Sequence, residues 1–438
     1  MVKELSRETE EAQLGESVEA YERQKPWERY IDAEMGLRNY WYPALFSHEL
    51  KEGEIQTATI CGERLLFKRI DGVVYCVEDR CVHRGVAFSA QPECYTKNTI
   101  TCWLHGFTYD WRDGNLVQVI SEPGGAIIGK ASIKSYHVRE MNRAIFVYIG
   151  DGEPVSPDED LPPEFMKAVR GERRIAFHPL VRVLIPCNWR PAVENGFDPG
   201  HVYGHRGSDI VQRGYFPVPL GFYAATKDQI KVEEREGRTK GIILQHTQFT
   251  LVWEAEIEGQ RLQAKAATEA APPPQNYSAD IVGGEYGGGA WYMPCTMEGI
   301  GFPQPSMIHY EWYVPVDADH HMYTILQAAY VDTDEDEERF HAECEEKWGP
   351  LVWSTPGSGV EGFNNFDAFG RAEIHHAYRR EGWWRRERMY KPDYALTQWR
   401  MLVSKHARGI QPREGNWTPR PPMEAYEVKF VDTPGQVR

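Results

Sequence analysis

The chain has 438 residues, of which 41% are hydrophobic and 26% charged, and its formal net charge is −16. This length and composition are typical of a globular enzyme with two or three domains. The negative charge argues against nucleic acid or an anionic membrane surface as the main partner.

The first residues, the absence of long apolar runs and the cysteines together indicate the cellular location. No apolar run approaches the length of a membrane span, and the first residues are polar and acidic, unlike a secretory signal. We therefore expect no membrane association and a cytoplasmic location. The eight cysteines are then predicted to be reduced thiols.

The first third of the chain predicts an arm and a small β domain. Residues 1–38 are charged and helix-friendly, typical of an N-terminal helical arm. Over residues 39–152, short alternating runs such as YWYPALF, RLLFKRI and AIFVYIG predict antiparallel strands, with Asp71-Gly72 as a turn signal. Residues 153–164 are rich in proline and acids, and we predict that they form a linker.

Two short motifs inside this β domain pair a cysteine with a histidine, Cys81-x-His83 and Cys102-x-x-His105, and a glycine follows each pair. Zinc accepts the same ligands, but a zinc finger carries its second pair on a helix, as two histidines. In one kind of [2Fe–2S] cluster two histidines replace two cysteines on one iron. The four residues are therefore predicted to bind such a cluster, with a zinc knuckle as the alternative.

Residues 165–395 mix strand and helix patterns. SMIHYEWYVPV and HMYTILQAAYV alternate like strands with one buried face, whereas residues 335–348 and the region after Asn365 follow a helical pattern. This order predicts an α+β domain in which helices flank an antiparallel sheet. Residues 396–438 are predicted to form a C-terminal helix and tail.

A second candidate site lies in NWRPAVENGFDPGHVYGHRG. Asp198-Pro199 is predicted to begin a helix on which His201 and His205 lie one turn apart on one face. Such a pair can bind a divalent metal, and one carboxylate from elsewhere would complete a 2-His-1-carboxylate triad with open positions on Fe(II). A packed or solvated helix surface is the simpler use. The pattern leaves the carboxylate open among 65 acidic residues.

The Cys/His loops and the motif Glu194-Asn195-x-x-Asp198-x-x-His201-x₃-His205 together resemble the large (α) subunit of Rieske non-haem iron ring-hydroxylating oxygenases. The resemblance runs along most of the chain. It is closest to the oxygenase components of carbazole dioxygenases, in the segments RNYWYP, DRCVHRGV, TITCWLHGFTYDW, NWRPAVENGFDPGH, EWYVP and EGFNNFDAFGRAE. It implies a Rieske domain followed by a helix-grip-like catalytic domain with a mononuclear iron.

The resemblance also implies roles for particular residues. The third iron ligand is expected to be Asp367, the acid inside NNFDAFGR, with Glu361 as the fallback. Asp198 is expected to link His105 of a neighbouring subunit to His201, although a plain helix cap is its simpler role.

Neighbouring residues carry further hypotheses. Asn364 and Asn365 would contact the substrate or O₂, or only pack the loop. The pairs His320-His321 and His375-His376 are left out of the metal set because adjacent side chains point apart. Around the cluster, Trp103 and Trp111 are expected to shield it by packing. Arg80, Arg84 and Lys97 would form a docking patch for an acidic ferredoxin, or be ordinary surface charge.

The implied function is that of a terminal oxygenase component. A ferredoxin or its reductase would supply electrons, since the chain has no nicotinamide or flavin fingerprint. The expected assembly is a homotrimer in which the cluster of one subunit serves the iron of the next. Dioxygenation of a small hydrophobic aromatic compound is expected. Monooxygenation, including N- or O-dealkylation, is the alternative on the same scaffold, and a non-catalytic Rieske electron carrier is a further one.

The chain departs from the carbazole dioxygenase pattern between His205 and Asp367. Residues 234–249 and 276–299 are longer or different there, and we predict that they line or cover the substrate pocket.

Overall fold

The computed structural model describes residues 27–223, 230–232, 242–244, 250–264, 276–280, 288–381 and 387–413. The predicted N-terminal arm therefore lies mostly outside the described residues, as does the tail after residue 413. Within the described part, no helix combines the length and the apolar character that crossing a membrane would need.

The N-terminal domain consists of short antiparallel strands, as predicted. Its sheets have the strand orders β1–β10–β9, β2–β3–β4–β8 and β5–β6–β7. Asp71 and Gly72 form the turn between β3 and β4 with positive φ angles of 50° and 79°, the geometry of a two-residue hairpin. The strands are β1 (Tyr40–Phe46), β2 (Ile55–Ile60), β3 (Glu63–Ile70), β4 (Val73–Glu78), β5 (Thr99–Thr101), β6 (Phe107–Asp110), β7 (Leu116–Val119), β8 (Ser135–Tyr136), β9 (Val138–Met141) and β10 (Ala144–Ile149).

Two cores hold this domain. The four-stranded sheet and β5–β7 enclose a small core of their own, which includes Leu66, Trp111 and both cluster cysteines. The β1–β10–β9 sheet instead packs into the main core of the molecule, where Phe146 meets Trp312 edge-on at a ring-centroid distance of 6.0 Å. This second contact fastens the N-terminal domain to the sheet domain that follows.

The sheet domain is built on one antiparallel sheet with the order β11–β21–β20–β19–β18–β14–β13. Every residue of β20 is buried, so both faces of the sheet are covered at its centre. The strands are β11 (Ile175–Ile185), β12 (Gly221–Tyr223), β13 (Ile230–Val232), β14 (Ile242–Leu244), β15 (Thr250–Val252), β16 (Glu254–Ile257), β17 (Gln260–Gln263), β18 (Gly288–Tyr292), β19 (Thr296–Ile300), β20 (Met307–Pro315) and β21 (His321–Tyr330).

Helices pack against this sheet, which confirms the predicted α+β class. The helix α3 contacts β19, β20 and α7, and α5 contacts β11. Thr333 and Asp336 form a capping box at the start of α5. The helices are α1 (Glu28–Asp32), α2 (Pro163–Val169), α3 (Trp189–Phe197), α4 (Asp209–Gln212), α5 (Asp334–Glu343), α6 (Gly349–Val352), α7 (Phe363–Glu381) and α8 (Tyr394–His406).

Two local features differ from the expectations. Asp198 does not begin a helix: it is the C-cap of α3, and the histidine pair lies on a 3₁₀ helix, His201–Gly207, whose N-cap is Gly200. The prediction was wrong because Pro199 also suits the residue that follows a helix. In the proposed linker, Asp160 is buried and pairs with Arg408, so this segment is anchored to the body.

Candidate metal centres

The two Cys/His loops of the N-terminal domain have the same backbone hydrogen bonds. In each, the cysteine N–H donates to a carbonyl five residues on, and a glycine N–H donates back to the cysteine carbonyl, at 2.8 to 2.9 Å. The two glycines, Gly85 and Gly106, have φ angles of 74° and 71°, a conformation that favours glycine. The predicted glycine-tipped loops are therefore present, and they face each other.

The four predicted cluster ligands come together at the loop tips. Cys81 and Cys102 are buried, whereas His83 is exposed and His105 partly exposed. The two histidine Nδ1 atoms lie 3.2 Å apart. A pair of buried thiols and a pair of imidazoles nearer the surface fit a cluster whose two irons carry different ligands.

The Cys81 and Cys102 thiols are hydrogen-bonded to each other and differ in pKa. A hydrogen bond between the thiols lowers the pKa of Cys81 to about 6 and raises that of Cys102. The Tyr109 hydroxyl also lies 3.3 Å from the Cys81 sulfur. One thiolate is therefore favoured in the pair, and the thiolate is the form of cysteine that binds a metal.

The other residues predicted around the cluster are two tryptophans with packing roles and three basic residues at the surface. Trp111 is buried, and the Trp103 indole donates to the Ala87 carbonyl, which agrees with packing roles. Lys97 is paired with Asp71 at 2.7 Å. Arg80 and Arg84 are exposed. The basic docking patch stays a prediction.

In the sheet domain, His201, His205 and Asp367 meet although they are far apart in sequence. They form the one group of three or more potential metal ligands, with donor atoms within 4.8 Å of one another, among the described residues. Asp367 Oδ1 lies 3.3 Å from Nε2 of each histidine. The fallback Glu361 is exposed and does not line the site.

Hydrogen bonds define which atoms of this group are free. The Nδ1 atoms of His201 and His205 bond to the backbone carbonyls of Asp198 and Phe363. A carbonyl accepts only, so each Nδ1 carries a proton, and each Nε2 is left facing Asp367. Asp367 Oδ1 is buried without a hydrogen-bond partner. Two imidazole nitrogens and one carboxylate oxygen therefore converge on one point, which fits a cation, because donors at right angles about 2.1 Å from a metal lie about 3 Å apart.

Asp198 lies beside this group. Its Oδ1 accepts a hydrogen bond from the Gly200 N–H at 2.7 Å, and its backbone carbonyl, rather than its carboxylate, holds His201. Gly200 is confined by Tyr390, because a Cβ there would come within 1.9 Å of the Tyr390 hydroxyl. The role of the Asp198 carboxylate between subunits stays a prediction.

Two cavities meet at this group. The inner cavity has about 140 Å³ open to the centre of a water molecule, and an outer groove of about 400 Å³ lies on the other side. The inner cavity is lined largely by apolar side chains, among them Phe216, Trp291, Met297, Ile300, Phe302 and Phe363. Within the described residues, only four line both cavities: Asp198, His201, His205 and Asp367.

One of the two segments predicted to line the substrate pocket contributes to the inner cavity. Trp291, Met297 and Gly299 line the inner cavity, as expected for residues 276–299. Most of residues 234–249 lies outside the described residues. Asn364 lines the cavity, whereas Asn365 is held by the Ser354 backbone, a packing role.

Buried charged residues at the inner cavity were missed from the sequence. His309, Glu311 and Arg371 line it, and each is at most 3% exposed. The signal for Glu311 is a charged residue in the apolar strand MIHYEWYVP, and Arg371 follows Asp367 by one helical turn. Neither feature of the sequence predicts which residues these charged side chains contact, because their partners lie on other strands and helices.

Comparisons with known proteins identify the families to which the two domains are similar. The Rieske [2Fe–2S] domain model matches residues 40–136, and the model of the homotrimeric ring hydroxylase family matches residues 148–411. The chain is 37% identical to the terminal oxygenase component of carbazole 1,9a-dioxygenase from Metapseudomonas resinovorans, over 89% of this chain and 96% of that relative. It is 30% identical to the phthalate 4,5-dioxygenase oxygenase subunit of Pseudomonas putida, over 44% and 42% of the two chains.

Solved structures agree with these matches. The reduced complex between oxygenase and ferredoxin in carbazole 1,9a-dioxygenase has a TM-score of 0.78 at 37% identity, over 89% of this chain and 94% of that chain. The carbazole 1,9a-dioxygenase terminal oxygenase from Novosphingobium sp. KA1 has a TM-score of 0.79 at 36% identity, over 89% and 98%.

The two domains and their matches define a Rieske oxygenase, an oxidoreductase that incorporates O₂. Within that class, the chain belongs to the homotrimeric ring hydroxylase family. The resemblance predicted from the sequence is confirmed. With it come the Rieske cluster and the mononuclear non-haem iron that the family uses.

Proposed function

We propose that this protein is the terminal oxygenase of a multicomponent system and dihydroxylates a small, hydrophobic, fused aromatic or heteroaromatic compound. The inner cavity supports this substrate class, because its wall is largely aromatic and one side of it is formed by the predicted iron ligands. The similarity to carbazole 1,9a-dioxygenase points to the same class.

We assign the metal ligands as predicted. Cys81, His83, Cys102 and His105 would hold the [2Fe–2S] cluster. His201, His205 and Asp367 would hold the mononuclear iron. The observation that carries the second assignment is the convergence of the Nε2 atoms of His201 and His205 on Oδ1 of Asp367, which is buried without a hydrogen-bond partner.

When bound, the cluster supplies single electrons and the mononuclear iron activates O₂. The chain's own part is to orient and to exclude water. The Asp198 and Phe363 carbonyls hold both imidazoles in one tautomer. Phe363 stacks on the His205 ring at 3.8 Å between centroids, and Phe302 packs against Phe363 at 4.9 Å, so a flat apolar ring fits beside the ligands.

We propose a homotrimer that takes electrons from a ferredoxin. The family is homotrimeric, and the solved relative named above is an oxygenase–ferredoxin complex. Apolar Val82 and Leu104, which flank the cluster histidines, are 44% and 43% exposed, as expected for a face that docks on a partner. The eight free cysteines support a cytoplasmic location.

A single turnover of chemically reduced protein under ¹⁸O₂ tests the reaction. The substrates are fused aromatics together with N- and O-alkylated anilines, and mass spectrometry identifies the products. A diol with two labelled oxygens is the expected product. A singly labelled alcohol, a phenol or a dealkylated amine would instead identify a monooxygenase, and the absence of any product with both metals present would contradict the substrate class.

A further inference from the structure

The two oxygens of the Asp367 carboxylate have different surroundings. Oδ1 is 3.3 Å from Nε2 of both His201 and His205 and has no hydrogen-bond partner. Oδ2 faces the other way, 3.4 Å from the Asn364 amide nitrogen and 3.8 Å from an Arg371 guanidinium nitrogen. One oxygen thus belongs to the metal group and the other to the protein interior.

Arg371 is fixed from several sides. It is 1% exposed and lies four residues after Asp367 on α7. Its Nε donates to Asn195 Oδ1 at 2.8 Å. Its guanidinium lies 4.8 Å and 4.6 Å from the ring centroids of Tyr313 and Tyr323, so the cation is clamped between elements rather than free to follow the carboxylate.

Glu311 provides the counter-charge for this cation. Its Oε2 lies 3.6 Å from Arg371 and accepts a hydrogen bond from the Tyr313 hydroxyl at 2.6 Å. The Asn364 amide donates to Glu311 Oε1 and to the Tyr323 hydroxyl, at 2.7 Å each, which fixes its amide group as well. Both groups that face Oδ2 are therefore held independently of Asp367.

We propose that Arg371, assisted by Asn364, is a positioning residue that keeps Oδ2 of Asp367 turned away, so that Asp367 binds the iron through Oδ1 alone. The proposal rests on the proposed function, which places an iron at Asp367. Asp367 would then supply one donor atom instead of two, so that the three residues would leave one more position on the iron for O₂.

The test compares Arg371→Gln with Arg190→Gln in the holoenzyme. Arg190 is an equally buried arginine that bonds to Asn188 and Tyr378 and does not contact Asp367. Iron content, near-infrared magnetic circular dichroism of the ferrous site and its affinity for nitric oxide are measured. The dichroism bands report the number of ligands, and nitric oxide stands in for O₂.

We expect the Arg371→Gln site to keep its iron, to gain one protein oxygen ligand and to bind nitric oxide at least about tenfold more weakly. Arg371→Lys, which restores the cation, should return the bands towards those of the wild type. Arg190→Gln should lower the melting temperature and leave the bands and the nitric oxide affinity unchanged.

Two results would overturn the proposal. One is an Arg371→Gln protein with wild-type iron content and wild-type bands. The other is an equal loss of iron from Arg371→Gln and Arg190→Gln, which would mean that Arg371 only supports the fold. A wild-type protein that binds no mononuclear iron would contradict the proposed function itself.

Discussion

At the scale of single residues, the hydrogen-bond partners of each ligand decide what it can bind. The backbone carbonyls that hold His201 and His205 leave both Nε2 atoms facing Oδ1 of Asp367, and Asp367 supplies the carboxylate of the group. Removal of that carboxylate should therefore abolish iron binding without disturbing the distant cluster loops.

We expect Asp367→Ala to lose the mononuclear iron and all oxygenase activity while it keeps the [2Fe–2S] spectrum. Iron analysis with electron paramagnetic resonance checks this. The matched control is Glu361→Ala, which removes an exposed acid from the same segment. Equal iron content in Asp367→Ala and the wild type would contradict the assignment.

Asp198→Asn separates the two roles predicted for Asp198. An asparagine oxygen can still accept the Gly200 N–H, and the backbone carbonyl that holds His201 is unchanged. We expect both metal centres to be kept and turnover nearly to stop, because only the negative charge between the centres is lost. Steady-state activity of the metal-loaded variant is the measurement, and full activity would exclude a bridging role.

His309 is buried and has a side-chain partner at each ring nitrogen. The Gln327 amide nitrogen donates to the Phe302 and Ile308 carbonyls, so Gln327 Oε1 accepts from His309 Nδ1 at 3.0 Å. His309 Nε2 lies 3.0 Å from Glu311 Oε1. The two ring nitrogens of His309 therefore join Gln327 to the buried Glu311 carboxylate.

We expect His309→Leu to lower the free energy of unfolding at neutral pH by about 3 kcal/mol, since it leaves Glu311 short of a partner. Burial raises the pKa of Glu311, but the hydrogen bond and the electrostatic attraction from His309, together with the Arg371 cation, outweigh burial and lower that pKa from 4.5 to about 2. This stabilisation is complete above pH 4.5 and is lost as the pH falls through about 2. Urea unfolding against pH should show a shallower acid loss in the variant; identical curves would contradict the pairing.

At the scale of elements, the two cluster loops share one backbone design but differ in their surroundings. A Cβ on Gly106 would lie 2.7 Å from Ile120 Cβ, whereas a Cβ on Gly85 would meet nothing nearer than Arg80 at 3.5 Å. Both glycines have positive φ, so both substitutions cost backbone strain.

We expect Gly106→Ala to lower the melting temperature more than Gly85→Ala and to broaden the cluster's paramagnetic resonance signal, because the clash adds to the strain. The two variants serve as controls for each other. Equal effects of the two substitutions would show that backbone strain alone, without the clash at Ile120, accounts for the loss of stability.

The elements also show what the sequence could and could not predict. Cys81, His83, Cys102 and His105 could be predicted from spacing because each loop carries a cysteine and a histidine within a few residues. Asp367 lies on another helix, far along the chain, and only the family resemblance selected it. The helix start at Asp198 was wrong because an Asp-Pro pair suits a helix end equally well. Long-range contacts such as Arg371 with Asn195 leave no local pattern.

At the scale of the whole molecule, the proposed electron route requires neighbouring subunits. We expect Cys102→Ser and Asp367→Ala, each inactive alone, to regain part of the activity when they are mixed under conditions that exchange subunits. A mixed trimer then joins an intact cluster of one subunit to an intact iron site of the next. Sedimentation shows the trimer, and unmixed samples are the control. Failure of exchanged trimers to regain activity would contradict the route.

The four residues that line both cavities form a partition with a separate chamber on each side. Met297, Ile300 and Phe302 border only the inner chamber, and Ile374 and Met389 border only the outer groove. Mutations that reshape one chamber thus leave the other untouched. In the course of evolution, such a protein can change which compound its inner chamber accepts while the outer groove keeps its shape.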